Sequence, residues 1–238
     1  MSAVRPSKDL AVRGSALPSL PIVAVVGLGN PGKKYEATRH NAGFWVVQAL
    51  AERLGASWSQ KFQGQFAKTH LRGTVSKLAT TQNADAELAL LQPGTFMNLS
   101  GHPTQAMAAF FGYKPAQILV IHDELDLPWG KLQLKVGGGH GGHNGLRSLV
   151  SQLGSADFVR LRVGIGRPAA GQKVVDPDAG RGDARADSSG DQIANWVLSP
   201  PSASERAELA DVVERALAMV QDVIVLGAAT AMNQHNRK

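Results

Sequence analysis

The sequence predicts an α/β protein, with a mixed β-sheet carrying helices on both faces. Three observations carry that expectation. Short runs rich in Val, Ile and Leu alternate with segments of helical period along most of the chain. At 238 residues, with 43% hydrophobic content, the chain suits a single domain with a sizeable core. Polar and glycine-rich stretches fall at the ends of the expected strands, where open α/β sheets place their chemistry.

Residues 1–20 are basic, contain Ser and Pro, and lack the continuous apolar stretch of a secretory signal. They read as a flexible tail ahead of a domain spanning 21–238; a transit peptide is the minority option, with Arg5 and Arg13 against the single acid Asp9. Ile22 to Leu28 is a Val-rich run with the character of a buried strand. Asn41 to Leu54 has helical period, with Phe44, Val47, Leu50, Ala51 and Leu54 on one face and Gly55 as a stop. Phe66–Leu71 and Leu88–Leu91 are shorter strand candidates, separated by a polar stretch around Thr80–Asp85. Leu99 to Phe111 reads as a helix in which Pro103 is tolerable only near the first turn.

Ile118–His122 and Leu132–Val136 are strand candidates, and Gly145–Leu153 is a helix with Leu146, Leu149, Val150 and Leu153 in phase. Val159–Ile165 alternates apolar residues with Arg160 and Arg162, as a strand with one polar face does. Residues 168–191 are Gly-, Asp- and Ala-rich without a period and read as a flexible surface insertion. Ser204 to Leu226 is the longest helical pattern, with Glu205 and Glu208 in its first turns, where the helix dipole favours acids.

Composition narrows the function. No run of ~18 apolar residues exists, so no membrane span is expected. The absence of cysteine removes disulfides, thiolate metal sites and a thiol nucleophile, and fits a reducing, cytoplasmic setting. Lys plus Arg exceed Asp plus Glu by 25 to 19, a net +6 that favours a polyanionic partner. With aromatics at 5%, contact to phosphate backbone or RNA shape is easier to build than a broad base-stacking platform.

Gly27, Gly29 and Gly32 spell G-x-G-x-x-G, the opening of a dinucleotide-binding turn. The pattern fails on inspection: Asn30-Pro31 occupies the turn, helical period starts only near Asn41, and Glu52, at nearly the spacing of the ribose-binding acid, falls inside the helix. No G-K-[ST] follows for a P-loop. Gly27 and Gly29 then signal close backbone approach at a strand end, and Asn30 becomes the residue of interest.

Polar groups concentrate in three further stretches: PGTFMNLSG with Asn98, HDELDLP with Asp123, and GGGHGGHNG leading to Asn144. Each has a structural reading too. Asn98 and Asn144 suit helix caps, Asp123 a strand end, His40 a structural histidine, and the glycines a linker. His122, Asp123, Glu124, Asp126, His140 and His143 offer ligand atoms, but no H-E-x-x-H or other spacing specifies a metal geometry, and no metal is assigned. No G-x-S-x-G occurs for a serine hydrolase. A histidine, an aspartate and several asparagines remain. A neutral imidazole takes a proton from water, a carboxylate fixes its tautomer, and amides hold a carbonyl or a developing oxyanion. That inventory suits metal-free hydrolysis of an activated ester.

The stretches GLGNPGKKYEATRHNAGF, PGTFMNLSG, HDELDLPWGKLQLKVGGGHGGHNGLRSL and RLRVGIG, in this order, resemble bacterial-type peptidyl-tRNA hydrolase from about Ile22 to Gly166. The resemblance implies a monomer with a twisted mixed sheet, no cofactor, and peptidyl-tRNA as partner, its peptide–ribose ester being cleaved. It implies His40 as general base, Asp123 as the aspartate that orients it, and Asn30 as the asparagine that distinguishes an N-blocked aminoacyl group. Tyr35, Phe96, Asn98 and Asn144 match positions that contact the tRNA end or peptide backbone, Met97 and His143 line the same cleft, and Lys135 and Arg162 look like the pair that grips tRNA phosphate. Gln133 stands where some members have a second lysine. The alternative is a non-catalytic RNA-binding homologue acting in organellar intron splicing.

Overall fold

The computed structural model describes residues 20–71, 87–169 and 189–236. The N-terminal tail up to residue 19, the polar stretch around Thr80–Asp85 and most of the insertion (170–188) lie outside the described residues.

Seven strands form one mixed sheet: β1 Ala24–Gly27, β2 Ser59–Lys61, β3 Gly64–His70, β4 Glu87–Pro93, β5 Ile118–Glu124, β6 Leu132–Val136 and β7 Val159–Gly164, in the spatial order β2-β3-β4-β1-β5-β7-β6. β4, β1, β5 and β7 run parallel, and the antiparallel strands lie at the two edges. The period-two alternation of side chains decides which residues face which layer. Val25, Leu119 and Ile121 face α1 (Ala42–Arg53), α5 (Ala203–Leu226) and α6 (Ala228–His235). Ala24, Val26 and Val120 face α2 (Gly101–Phe111) and α3 (Asn144–Leu153) through Met107, Leu146 and Leu149. The expected architecture of helices on both faces is present. Among the described residues no helix is long and apolar enough to cross a membrane.

Three details differ from the sequence expectation. Met97–Leu99 is a 3-10 turn, so α2 starts at Gly101 and Pro103 falls in its first turn, where its missing N–H costs nothing. β7 is an interior strand, and Arg160 on it is 2% exposed rather than part of a solvated face. An additional helix, α4 (Ser189–Val197), begins inside the segment expected to be an insertion. The start of α5 follows local rules: Ser202 accepts the Glu205 N–H while the Glu205 carboxylate accepts the Ser202 N–H.

Candidate active site

The chain leaves β1 at Gly27, and glycine is required there. A Cβ on Gly27 would collide with the Gly43 carbonyl and Val47, while one on Gly43 would strike the backbone of Leu28 and Ile121. The first turn of α1 therefore lies directly on the strand ends. That contact lets Asn41, at the junction into α1, hold Asn30 from both sides. The Asn30 N–H donates to Asn41 Oδ1 at 2.8 Å, and Asn41 Nδ2 donates to the Asn30 carbonyl at 3.0 Å. The Met97 N–H donates to Asn30 Oδ1 at 2.8 Å. With its oxygen committed, Asn30 presents its Nδ2 to the cleft, as a donor only.

His40 sits in the 3-10 turn Arg39–Asn41, one residue before Asn41. Its Nδ1 lies 3.0 Å from each oxygen of Asp123, which is 3% exposed at the end of β5. His143 lies across from it, its Nε2 3.0 Å from Asp123 Oδ1. The tautomers follow from the donors. His143 Nδ1 accepts the N–H groups of Gly145 and Leu146 as the N-cap of α3, so its proton resides on Nε2 and is donated to Asp123. His40 donates its Nδ1–H to the same carboxylate, which leaves the Nε2 lone pair free. Burial works against ionising Asp123, but the pull of His40 and His143 and their hydrogen bonds prevail and hold it far below the usual carboxylate range. His122 is the opposite case. Burial first, and His143 second, push it down to about 3, and its Nδ1–H donates to the Asp123 carbonyl at 2.7 Å.

A cleft of about 810 Å³ opens over these groups. Asn30, His40 and Asp123 line it together with Phe96, Met97, Asn98, His143 and Asn144, so the expected residues from four separate stretches meet in one place. Asn98 and Asn144 are exposed and neither caps a helix; His143 takes the cap of α3. Tyr35 is not on the cleft wall and reaches it through an edge-to-face contact with Phe96, centroids 6.1 Å apart. Lys135 and Arg162 lie outside the cleft, on the β6–β7 edge, where Arg162 pairs with Glu124 at 2.8 Å and bonds Gln133. His40, Asp123 and His143 also offer ligand atoms within 4.8 Å of one another, a set that would hold a cation only by replacing the two N–H···O bonds just described.

Sequence reasoning missed two contributors. Asn41 was read only as the first residue of a helix. Arg39 holds the carbonyl and Oγ of Ser199, the Pro200 carbonyl and the Glu205 carboxylate, and stacks over Trp196 at 3.7 Å. It thereby fixes α4, whose Ile193, Ala194 and Val197 form an apolar wall of the cleft. Burial works against the Arg39 charge, and Glu205 opposes that effect.

An α/β sheet with a histidine–aspartate pair and side-chain amides at the carboxyl ends of its parallel strands defines a class of protein equipped to bring water to a carbonyl group. The family model described as peptidyl-tRNA hydrolase matches residues 24–238. A peptidyl-tRNA hydrolase of Neisseria gonorrhoeae is 43% identical over 205 residues, covering 85% of this chain and 91% of that protein. One from Sorangium cellulosum is 41% identical over 218 residues, covering 91% and 85%. The crystal structure of the Arg119Gln mutant of the Acinetobacter baumannii enzyme superposes with a TM-score of 0.73 at 36% identity, covering 94% of this chain and 97% of that one. The chain belongs to the peptidyl-tRNA hydrolase family and is an enzyme of the hydrolase class.

Proposed function

We propose that the protein hydrolyses the ester joining a peptide, or an N-blocked amino acid, to the 3′-terminal ribose of tRNA, acting as a monomer in the cytoplasm. The shared carboxylate of Asp123 carries this reading, because it sets the imidazole of His40 with a free Nε2 facing the cleft. Water loses a proton to His40 Nε2 as its oxygen bonds the ester carbon. Asp123 stabilises the imidazolium that forms. The carbonyl oxygen, now an oxyanion, takes hydrogen bonds from side-chain amides among Asn30, Asn98 and Asn144. The C–O bond then breaks, and the ribose 3′ oxygen leaves with the proton returned by His40.

The donor-only face of Asn30 supports the preference for blocked substrates. An acyl carbonyl on the amino group accepts from Nδ2, whereas a free α-ammonium would set donor against donor. Phe96 and Tyr35 suit the terminal nucleotide, and the α4 wall suits the peptide. Lys135, with Arg162 partly neutralised by Glu124, supplies phosphate contacts without base readout.

The test compares N-acetyl-aminoacyl-tRNA with free aminoacyl-tRNA, in EDTA, using wild type and His40→Ala. Cleavage of only the blocked substrate, reduced at least about 1,000-fold in the variant, is expected. Wild-type-like turnover by the variant would sink the mechanism. Binding without cleavage by the wild type would instead favour the non-catalytic RNA-binding reading.

A further inference from the structure

The glycine loop between β6 and α3 has few contacts to hold its centre at Gly138 and Gly139. Gly137, Gly138, Gly141 and Gly142 take φ values of 62, 87, 56 and 83°, a left-handed backbone that glycine adopts far more readily than residues with a Cβ. With five of its residues lacking a side chain, the loop is fixed mainly through its peptide groups: the Gly137 N–H donates to the Phe158 carbonyl at 3.2 Å and the Gly142 N–H to His140 Nδ1 at 3.2 Å. Yet it ends at His143, which caps α3 and donates to Asp123, so its placement decides the placement of the site.

Arg160 supplies the missing anchor. Its NH1 donates to the Gly139 carbonyl at 2.8 Å and its NH2 to the Gly138 carbonyl at 2.7 Å, with the Phe158 ring 4.8 Å from the guanidinium carbon. From Gly139 the chain passes to His140, whose carbonyl accepts the His143 N–H at 2.9 Å. Arg160 is 2% exposed and makes no ion pair with a carboxylate among the described residues. Burying a cation with no carboxylate bonded to it is unfavourable, and an apolar side chain would fill the space at lower cost. The two carbonyls are what the charge is there for.

The same residue lies beside the cationic edge. The β6–β7 register sets Lys135 opposite Arg160 and Gln133 opposite Arg162, so these side chains share one face. Lys135 lies over the loop as well: a Cβ on Gly138 would come within 3.0 Å of its Cε. Burial, and the neighbouring Arg162 after it, work against the Arg160 charge, while Glu124 favours it. A phosphate oxygen held at Lys135 would offset that like charge and fix Lys135 over Gly138, whose carbonyl Arg160 holds, so phosphate contact and loop anchor meet at one peptide group.

We propose that Arg160 is a positioning residue that couples engagement of the tRNA backbone at the β6–β7 edge to the placement of His143 through the glycine loop. The proposal rests on the peptidyl-tRNA reading above. The test measures kcat and KM for N-acetyl-aminoacyl-tRNA and for N-acetyl-aminoacyl-CpCpA, which lacks the phosphates of the tRNA body. Wild type, Arg160→Lys and Lys135→Ala are compared, with thermal melts of each. Wild type is expected to turn over the tRNA substrate faster than the fragment. Arg160→Lys keeps the charge but loses the fork that spans two carbonyls. Its tRNA-to-fragment ratio of kcat should fall about tenfold or more, with KM for the tRNA within about threefold of wild type. An equal fall on both substrates would reduce Arg160 to a loop support and overturn the coupling. A raised KM with intact kcat would make it a phosphate ligand and overturn it too. Should Arg160→Lys fail to fold, Lys135→Ala carries the test: the coupling requires its kcat ratio to fall, and a change in KM alone overturns the proposal. Failure of the wild type on both substrates would sink the hydrolase reading itself.

Discussion

Asn41 shows how much of a cleft's geometry resides in residues that do not line it. It brackets the Asn30 peptide, accepting from its N–H and donating to its carbonyl, and is 1% exposed. Asn41→Ala would leave a buried donor and a buried acceptor unpaired, an expected loss of about 2 kcal/mol of stability. It would also free Asn30 to turn, with kcat falling at least about tenfold. Urea unfolding and kcat on N-acetyl-aminoacyl-tRNA check both parts. A stable variant with normal kcat would show that Met97 alone suffices to hold Asn30. Asn41→Asp keeps the acceptor but sets a buried carboxylate oxygen against the Asn30 carbonyl, so it should lose at least as much stability as Asn41→Ala.

At the scale of elements, the turn bearing His40 is joined to the C-terminal helices through Arg39. Its guanidinium meets Ser199 and Pro200, just beyond the end of α4, and Glu205 in the first turn of α5, and its own N–H donates to the Ser199 carbonyl at 3.1 Å. Arg39→Ala would strand the half-buried Glu205 carboxylate and release Trp196, an expected cost of about 3 kcal/mol. Chemical denaturation checks it, and a loss below about 0.5 kcal/mol would show the clasp to be incidental. Such links mark where sequence reading stops. The central strands, α1, α3 and α5 were legible because their apolar periods are local. β2 was not, being three exposed polar residues at a sheet edge. α4 was hidden because its few apolar residues follow a polar, glycine-rich segment. His40, Asp123 and Asn30 could be named from their stretches, but Arg39, Asn41 and Arg160 act on partners brought near only by folding. The cap of α3 was not legible for a related reason: Asn144 suits a cap by residue type, yet His143 takes that place with its Nε2 held by Asp123.

The whole molecule inherits an acid sensitivity from the core beneath the site. In the folded protein His122 is buried, neutral, and lowered from 6.5 to about 3, chiefly by desolvation. Unfolded, it takes up a proton as pH falls below about 6.5, while the folded form does not until about 3. The unfolded state therefore binds more protons across that interval, so stability falls with pH by up to roughly 1.4 kcal/mol per unit. Asp123 adds to this with the same sign. Its folded carboxyl lies far below the usual range, so its contribution is intact above about 3.9 and is lost as pH falls further. The net charge of +6 grows in acid and adds self-repulsion, which salt screens. Melts at constant high ionic strength isolate the two titrations. His122→Asn removes the first while its amide can still donate to the Asp123 carbonyl. Its Tm should therefore vary less than wild type between about pH 6.5 and 4.5, with the steep loss below about pH 4 retained. Parallel curves for the two proteins across the upper interval would mean that His122 is protonated in the folded core, and that the buried face of the site is more polar than its geometry indicates.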